Sequence, residues 1–340
     1  MSKIIDAFCF FNELDLLRLR LLELQGVVDS FILVEAAQTH SGNKKPLYFE
    51  KYRSEFVEFA DKIIHVVVDE LPRPIAGDRW PLYQHQLEAI KTGLKTACAD
   101  PEDIVLISDV DEIPRAAKVL ELPALLSKNP EIVLLQDFYE HYLNCKLRKP
   151  WCGTVAVRAR QALSRSIFNL RTEKKRAGRI FKQKYLKRHK YLPSAGWHFS
   201  SFGGPLSLLY KCQSFAHREA DKSGELAIPP IASDVCRNNL HNHSAFRQSE
   251  ILQHMQQHGI FALQDAEHVV SEKLIEWESL PASLLNNREE FEHFVYRDNP
   301  LSDFETDLSV FESLHAQKPP LWKRMFSSTT ARLKLESRAE

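Results

Sequence analysis

No stretch of this 340-residue chain reaches the ~18 consecutive apolar residues that a membrane-crossing helix needs. The N-terminus, MSKIIDAFCFFNELD, lacks the longer apolar core and small-residue cleavage site of a secretory signal. Net charge is also missing: 45 Lys and Arg balance 45 Asp and Glu, so bulk electrostatics points to no particular partner. The six cysteines, Cys9, Cys98, Cys145, Cys152, Cys212 and Cys236, contain no CxxC pair and sit mostly among apolar neighbours. They read as buried thiols in a reducing compartment rather than as a disulfide framework. No internal repeat is visible. These absences lead to the expectation of a cytoplasmic protein.

What is present is ordinary globular composition, 44% hydrophobic and 26% charged. Residues 3–11 read as a first strand. A helix follows, with Asn12 as its N-cap, Leu14, Leu17, Leu21 and Leu24 along one face, and Gly26 at its end. Residues 30–35 and 62–70 read as further strands. Leu87, Ile90, Leu94 and Ala97 mark a second helix between residues 84 and 98. Strands at 104–108 and 131–143 complete the pattern. Alternation of strands and helices implies a mainly parallel central sheet flanked by helices, an α/β fold. Ligands of such sheets bind beyond the carboxyl ends of the strands. That rim would carry Asn12, Glu13, Glu35 and the acids from Asp109 to Glu112.

The sequence DIVLISDVDEIPR, residues 103–115, is the sharpest local signal. An apolar strand runs directly into Asp109, Asp111 and Glu112. In extended chain, Asp109 and Asp111 would project to one side. Carboxylates so placed repel unless a cation lies between them, and a hard divalent ion that also binds a diphosphate suits the pattern. A solvated acidic turn is the plainer reading of the same residues. A haloacid-dehalogenase type of phosphatase also uses such a motif, but after its first strand rather than its fourth.

Four stretches together resemble glycosyltransferase family 17: FFNELDLLRLRLLEL (10–24), VEAAQTHSGNKKPLYF (34–49), DIVLISDVDEIPR (103–115), and GWHFSSFGG (196–204) with KCQSFAHRE (211–219). The resemblance implies a GT-A type nucleotide-sugar transferase fold and an inverting hexosyltransferase. The donor would be UDP-GlcNAc, the acceptor a glycan hydroxyl, and the cofactor Mn²⁺ or Mg²⁺. It implies Asp109, Asp111 and His198 as metal residues, and Asn12, Glu13, Glu35, Asp109 and Trp197 at the donor. Glu219, Asp137 and Glu112 are the candidates for the base. The chain departs from the family pattern at Leu87, where the helix before the fourth strand would carry an arginine, and at Leu206, where an acid would follow the GWH segment. A non-catalytic sugar-binding protein on the same fold is the alternative.

The expected layout is a transferase domain over residues 1–250, a helical extension over 251–316 and a flexible tail over 317–340. Within the first, residues 158–190 hold thirteen Lys and Arg against Glu173 alone and read as a basic insertion or solvated face. They lack the regular aromatics of a nucleic-acid surface, so no nucleic-acid partner is expected. Trp322, Met325 and Phe326, with nearby basic residues, suggest a peripheral contact at the inner membrane face. His254 with His258, and Cys236 with His241 and His243, are weaker chelating patterns.

Overall fold

In the computed structural model the described residues are 2–72, 80–140, 142–143, 146–147, 149–179, 189–202, 211, 214, 277–291 and 294. Glu219, Cys236, His241, His243, His254, His258 and the tail from 317 lie outside them, as does Leu206.

Four strands build the parallel half of the sheet: β1 (Ile4–Phe10), β2 (Ser30–Ala36), β3 (Ile63–Val68) and β4 (Ile104–Asp109). The other half holds β5 (Glu112–Pro114), β6 (Glu131–Glu140), β7 (Trp151–Arg158), β8 (His189–Leu192) and β9 (Gly196–Ser200). The strand order is β3-β2-β1-β4-β7-β6-β9-β5, with β8 also paired to β6. Five of the eight strand pairs described are parallel, and β7 runs against both its neighbours. The α/β class and the mainly parallel sheet agree with the sequence pattern.

The near-continuous apolar strands are explained by helices on both faces. Alternate residues of β1 go to opposite layers. Ile4, Phe8 and Phe10 pack on Leu14, Leu17, Leu21 and Leu24 of α1 (Leu14–Leu24). Ile5, Ala7 and Cys9 face the layer that holds Leu82, Leu87, Ile90 and Leu94. That stripe is broken into α3 (Trp80–Glu88) and α4 (Ile90–Thr96), after a short α2 (Tyr48–Lys51), rather than forming one helix. Gly93 lets α4 lie against β2, since a Cβ there would stand 2.3 Å from Ile32 Cγ2. Leu87 is wholly buried, so it serves the core.

Two short helices, α5 (Ala116–Val119) and α6 (Leu122–Leu126), lead into β6. After β7 come α7 (Ala159–Ser164) and α8 (Ile167–Arg179). Here the structure differs from the expected solvated insertion. Ile167 and Leu170 are fully buried against the sheet, and Arg165 pairs with Glu131 and Glu173. The local charge count concealed two apolar anchors at helical spacing.

A third cluster joins the far end of the chain to the fold. Leu280, Leu284 in α9 (Ala282–Asn286), Phe291 and Phe294 pack with Leu16, Leu19, Trp197, Phe199 and Phe202. The Leu143 N–H donates to Phe294 O at 2.8 Å. This part of the expected extension is therefore packed onto the first 202 residues.

Candidate active site

Strand parity decides what each residue around the acidic turn meets. Ser108 shares the α1 face with Leu106, and Asp109 shares the α3 and α8 face with Val105 and Ile107. The strand ends at Asp109, and a turn through Val110 and Asp111 leads to β5. Because that turn intervenes, the two aspartates are not placed by extended-chain alternation, as the sequence suggested. They nevertheless line the same cavity.

Arg20, which read from sequence only as a helical residue, holds this turn from below. Its guanidinium forms a two-pronged pair with Asp6, at 2.7 Å from Nε and 2.6 Å from Nη2. Both side chains are fully buried. Nη2 also donates to Ser108 Oγ at 2.6 Å. Nη1 donates to the carbonyls of Asp109 (3.1 Å), Val110 (3.2 Å) and Glu112 (2.8 Å). One side chain thus satisfies main-chain acceptors at three of the turn's four residues, which a turn buried at this depth requires.

Arg171 of α8 grips the same turn by its side chains. Its Nη2 donates to Asp109 Oδ2 at 2.5 Å and to Glu112 Oε1 at 3.1 Å, while Nη1 pairs with Glu112 Oε2. Tyr83 of α3 donates its hydroxyl to Asp109 at 3.1 Å. Burial, and next the charge of Asp109, push the Tyr83 phenol well above its ordinary range, so it stays a donor. Glu112 further accepts Trp151 Nε1–H at 2.7 Å and the Asp109 N–H at 3.3 Å. With both oxygens occupied and 1% exposure, Glu112 is an anchor of the turn, an arrangement unlike a free base.

Asp111 faces different partners. Its Oδ2 lies 3.3 Å from Lys211 Nζ and 3.6 Å from His198 Nε2. Burial alone would raise its carboxyl, but Lys211 and then His198 outweigh that and hold it down at about 2. The His198 ring stacks on Phe138 at 4.9 Å and lies 4.6 Å from the Trp151 ring. Its register in β9 puts it opposite Glu112 in β5.

These groups border a cavity of about 300 Å³ at the carboxyl ends of β1, β2 and β4. Glu13, Asp109, Asp111 and Glu112 contribute carboxylates, Lys45 and Lys211 cations, and Trp80, Tyr83 and Trp151 aromatic surface. Glu13 also lines a small adjoining cleft with Asn12. Asn12 makes no side-chain cap. Glu13 sits at the cap position, where its Oε2 accepts the N–H groups of Phe11 (3.2 Å) and Asn12 (3.0 Å).

The other predicted residues lie elsewhere. Glu35 is fully buried and anchors the segment after β2, accepting from Lys45 (3.1 Å), Tyr48 N–H (2.5 Å), Phe49 N–H (3.2 Å) and His65 (3.1 Å). Lys45, not Glu35, borders the cavity. Trp197 is 1% exposed, donates to Ser279 O at 2.7 Å and lies under Arg115, so it is a core residue. Asp137 pairs with Lys146 at 3.4 Å and does not border the cavity. Sequence reading missed Arg20, Tyr83, Trp151 and Arg171. Arg20 had one usable signal, a charge at a position flanked on both sides by the apolar face of α1.

Among the described residues, no three His, Cys, Asp or Glu side chains converge as a ready ligand set. Asp111 and His198 do bring one oxygen and one nitrogen donor together beside Asp109. That sparse set fits a hard divalent ion that takes one or two protein carboxylates and completes its shell with phosphate and water.

Residues 1–166 match the family model described as Glycosyltransferase family 17. Over this segment the chain is similar to that family. The family 17 match spans β1 to α7 and so contains the acidic turn, Arg20 and Tyr83, but not Arg171 or His198. Beta-1,4-mannosyl-glycoprotein 4-beta-N-acetylglucosaminyltransferase of Rattus norvegicus is 32% identical over 125 residues, 35% of this chain and 23% of its own length. The Homo sapiens protein of that name matches equally, at 32% over 125 residues. The chain therefore aligns with about a quarter of the length of these curated relatives. Among solved structures, glucosyl-3-phosphoglycerate synthase of Mycobacterium tuberculosis, in complex with Mn²⁺, UDP-glucose and phosphoglyceric acid, aligns at 13% identity and TM-score 0.32. That alignment covers 58% of this chain and 71% of the other. The observed sheet agrees with the expected α/β class.

Proposed function

We propose that the protein is a metal-dependent inverting glycosyltransferase that moves GlcNAc from UDP-GlcNAc to a glycan hydroxyl. The observation that carries this reading is the cavity at the strand ends, where the family 17 acidic turn meets His198, Lys211 and an aromatic wall. Its volume suits a nucleotide-sugar better than a macromolecule.

Asp111 and His198 would hold Mn²⁺ or Mg²⁺, with Asp109 beside them. The bound ion would offset charge growing on the departing diphosphate. Lys211, kept protonated because Asp111 outweighs its burial, contributes a second positive charge at the same point. Lys45 and Glu13 flank the cavity from the β1 and β2 side. Inversion needs a base for the acceptor hydroxyl. Glu112 is occupied by donors and Asp137 lies off the cavity, so Glu219 keeps that role in the proposal, with Glu13 as its competitor. A peripheral membrane contact through the tail remains part of the proposal. No helix among the described residues is long and apolar enough to cross a membrane.

The test is Mn²⁺-dependent UDP release from UDP-GlcNAc in the presence of a glycan acceptor array, repeated with Asp111→Asn. Turnover that needs both metal and Asp111 supports the reading. Donor turnover unaffected by metal removal or by this substitution rejects it.

A further inference from the structure

Three acids sit within four positions of the turn, yet they are not equally available. Glu112 takes four donors: two prongs of Arg171, the Trp151 indole and the Asp109 N–H. Four donors match the lone-pair capacity of a carboxylate. Asp109 takes Arg171 at 2.5 Å and the Tyr83 hydroxyl at 3.1 Å. Asp111 has only longer contacts, at 3.3 and 3.6 Å, both on Oδ2.

We propose that Arg171 is the resident counter-ion of the acidic turn, neutralising Asp109 and Glu112 and leaving Asp111 as the carboxylate offered to an incoming divalent cation. The proposal rests on reading this cavity as a cation and diphosphate site. Arg171 is a positioning residue here, acting through the carboxylates it holds.

Three observations support it. First, the geometry needs a fork: one guanidinium spans two carboxylates, which an ammonium acting as a point charge does not do. Second, the fork comes from α8, pinned against the sheet by Ile167 and Leu170, so its position is set by packing. Third, the Arg171 side chain is only 4% exposed, so its charge acts on the two carboxylates at close range and little screened by solvent. Without Arg171, Asp109 and Glu112 would lose the cation that pairs with both, and a divalent ion would be drawn in by charge from all three acids.

Direct Mn²⁺ binding tests this on the full chain without nucleotide, by the electron paramagnetic resonance of free Mn²⁺. Arg171→Met should bind Mn²⁺ at least about tenfold more tightly than the native chain, because two carboxylates lose their counter-ion. Arg171→Lys, which keeps the charge but not the fork, should bind Mn²⁺ more tightly than the native chain and less tightly than the Met variant. A Met variant that binds no more tightly overturns the proposal, as does a Lys variant that matches a tightened Met variant. Should the Met variant not fold, the aspartates decide. Asp109→Asn should weaken native Mn²⁺ binding by less than about threefold and Asp111→Asn by more than about tenfold. Equal losses overturn it. Tight binding by Arg171→Met with none by the native chain would support the counter-ion role while rejecting the metal in the proposed function. Binding by neither would reject both.

Discussion

Arg20 and Asp6 form a two-pronged ion pair with no solvent exposure, directly beneath the acidic turn. Their side chains belong to adjacent elements, α1 and β1, so the pair fastens the first helix to the first strand. The same guanidinium fastens both to the turn.

Arg20→Met should cost about 3–5 kcal/mol, since it strands the buried Asp6 carboxylate and three carbonyls. Urea denaturation of the full chain would read this. Asp6→Asn with Arg20→Met should cost clearly less than the sum of the single changes. Additive losses would mean that the two side chains act independently.

Gly196 opens the GWH segment at φ +151°. A Cβ there would lie 2.2 Å from Ile113 O and 2.9 Å from Pro114 Cα. Gly196→Ala should therefore lower stability by about 2 kcal/mol or more, by forcing β9 away from β5. Gly26 has no atom within 4 Å of the same construction, and Gly26→Ala should change stability by less than about 1 kcal/mol. Thermal melts of the two variants give the comparison.

Trp151→Phe keeps an aromatic ring beside Phe138 and His198 but removes the N–H donor at 2.7 Å from Glu112. A lost hydrogen bond to a buried carboxylate should cost about 1.5–3 kcal/mol. Equilibrium unfolding at pH 7 would show it. A change below about 0.5 kcal/mol would mean that Arg171 and the Asp109 N–H suffice for Glu112.

His198→Ala removes the ring beside Asp111 and opens the stack between Phe138 and Trp151. On the proposed function, donor turnover should fall about 10²–10³-fold. Asp137→Asn, which lies off the cavity, should leave turnover within about twofold. Steady-state assays with UDP-GlcNAc would separate the two, and equal losses would displace His198 from the proposed site.

Much of the frame was legible because it is written in local periods. The strands of residues 4–10, 30–36, 63–68 and 104–109 show as apolar runs, and α1 shows as leucines at helical spacing. Asp109, Asp111 and His198 were singled out by their motifs, and the structure brings the three to one cavity. Other assignments were misleading because a motif carries no direction. Glu35 and Trp197 sit in motif stretches, yet strand parity turns Glu35 toward the N–H groups of Tyr48 and Phe49, and Trp197 toward Ser279. Arg171 was hidden for the opposite reason. It stands among a dozen other cations, and nothing in their spacing marks the one that is buried.

By itself, then, the sequence determined β1, β2, β3, β4 and β6, the first helix, the α/β class, and the place of the acidic turn beyond the fourth strand. Apolar periodicity is a property of neighbouring residues, so it can be read along the chain. Only the tertiary structure decided which cation meets which carboxylate: Arg20 on the carbonyls, Arg171 on Asp109 and Glu112, Lys211 and His198 on Asp111. Those partners lie from 59 to 100 positions apart. Their meeting depends on sheet order, on strand parity and on the helices packed over each face, none of which a local sequence pattern encodes.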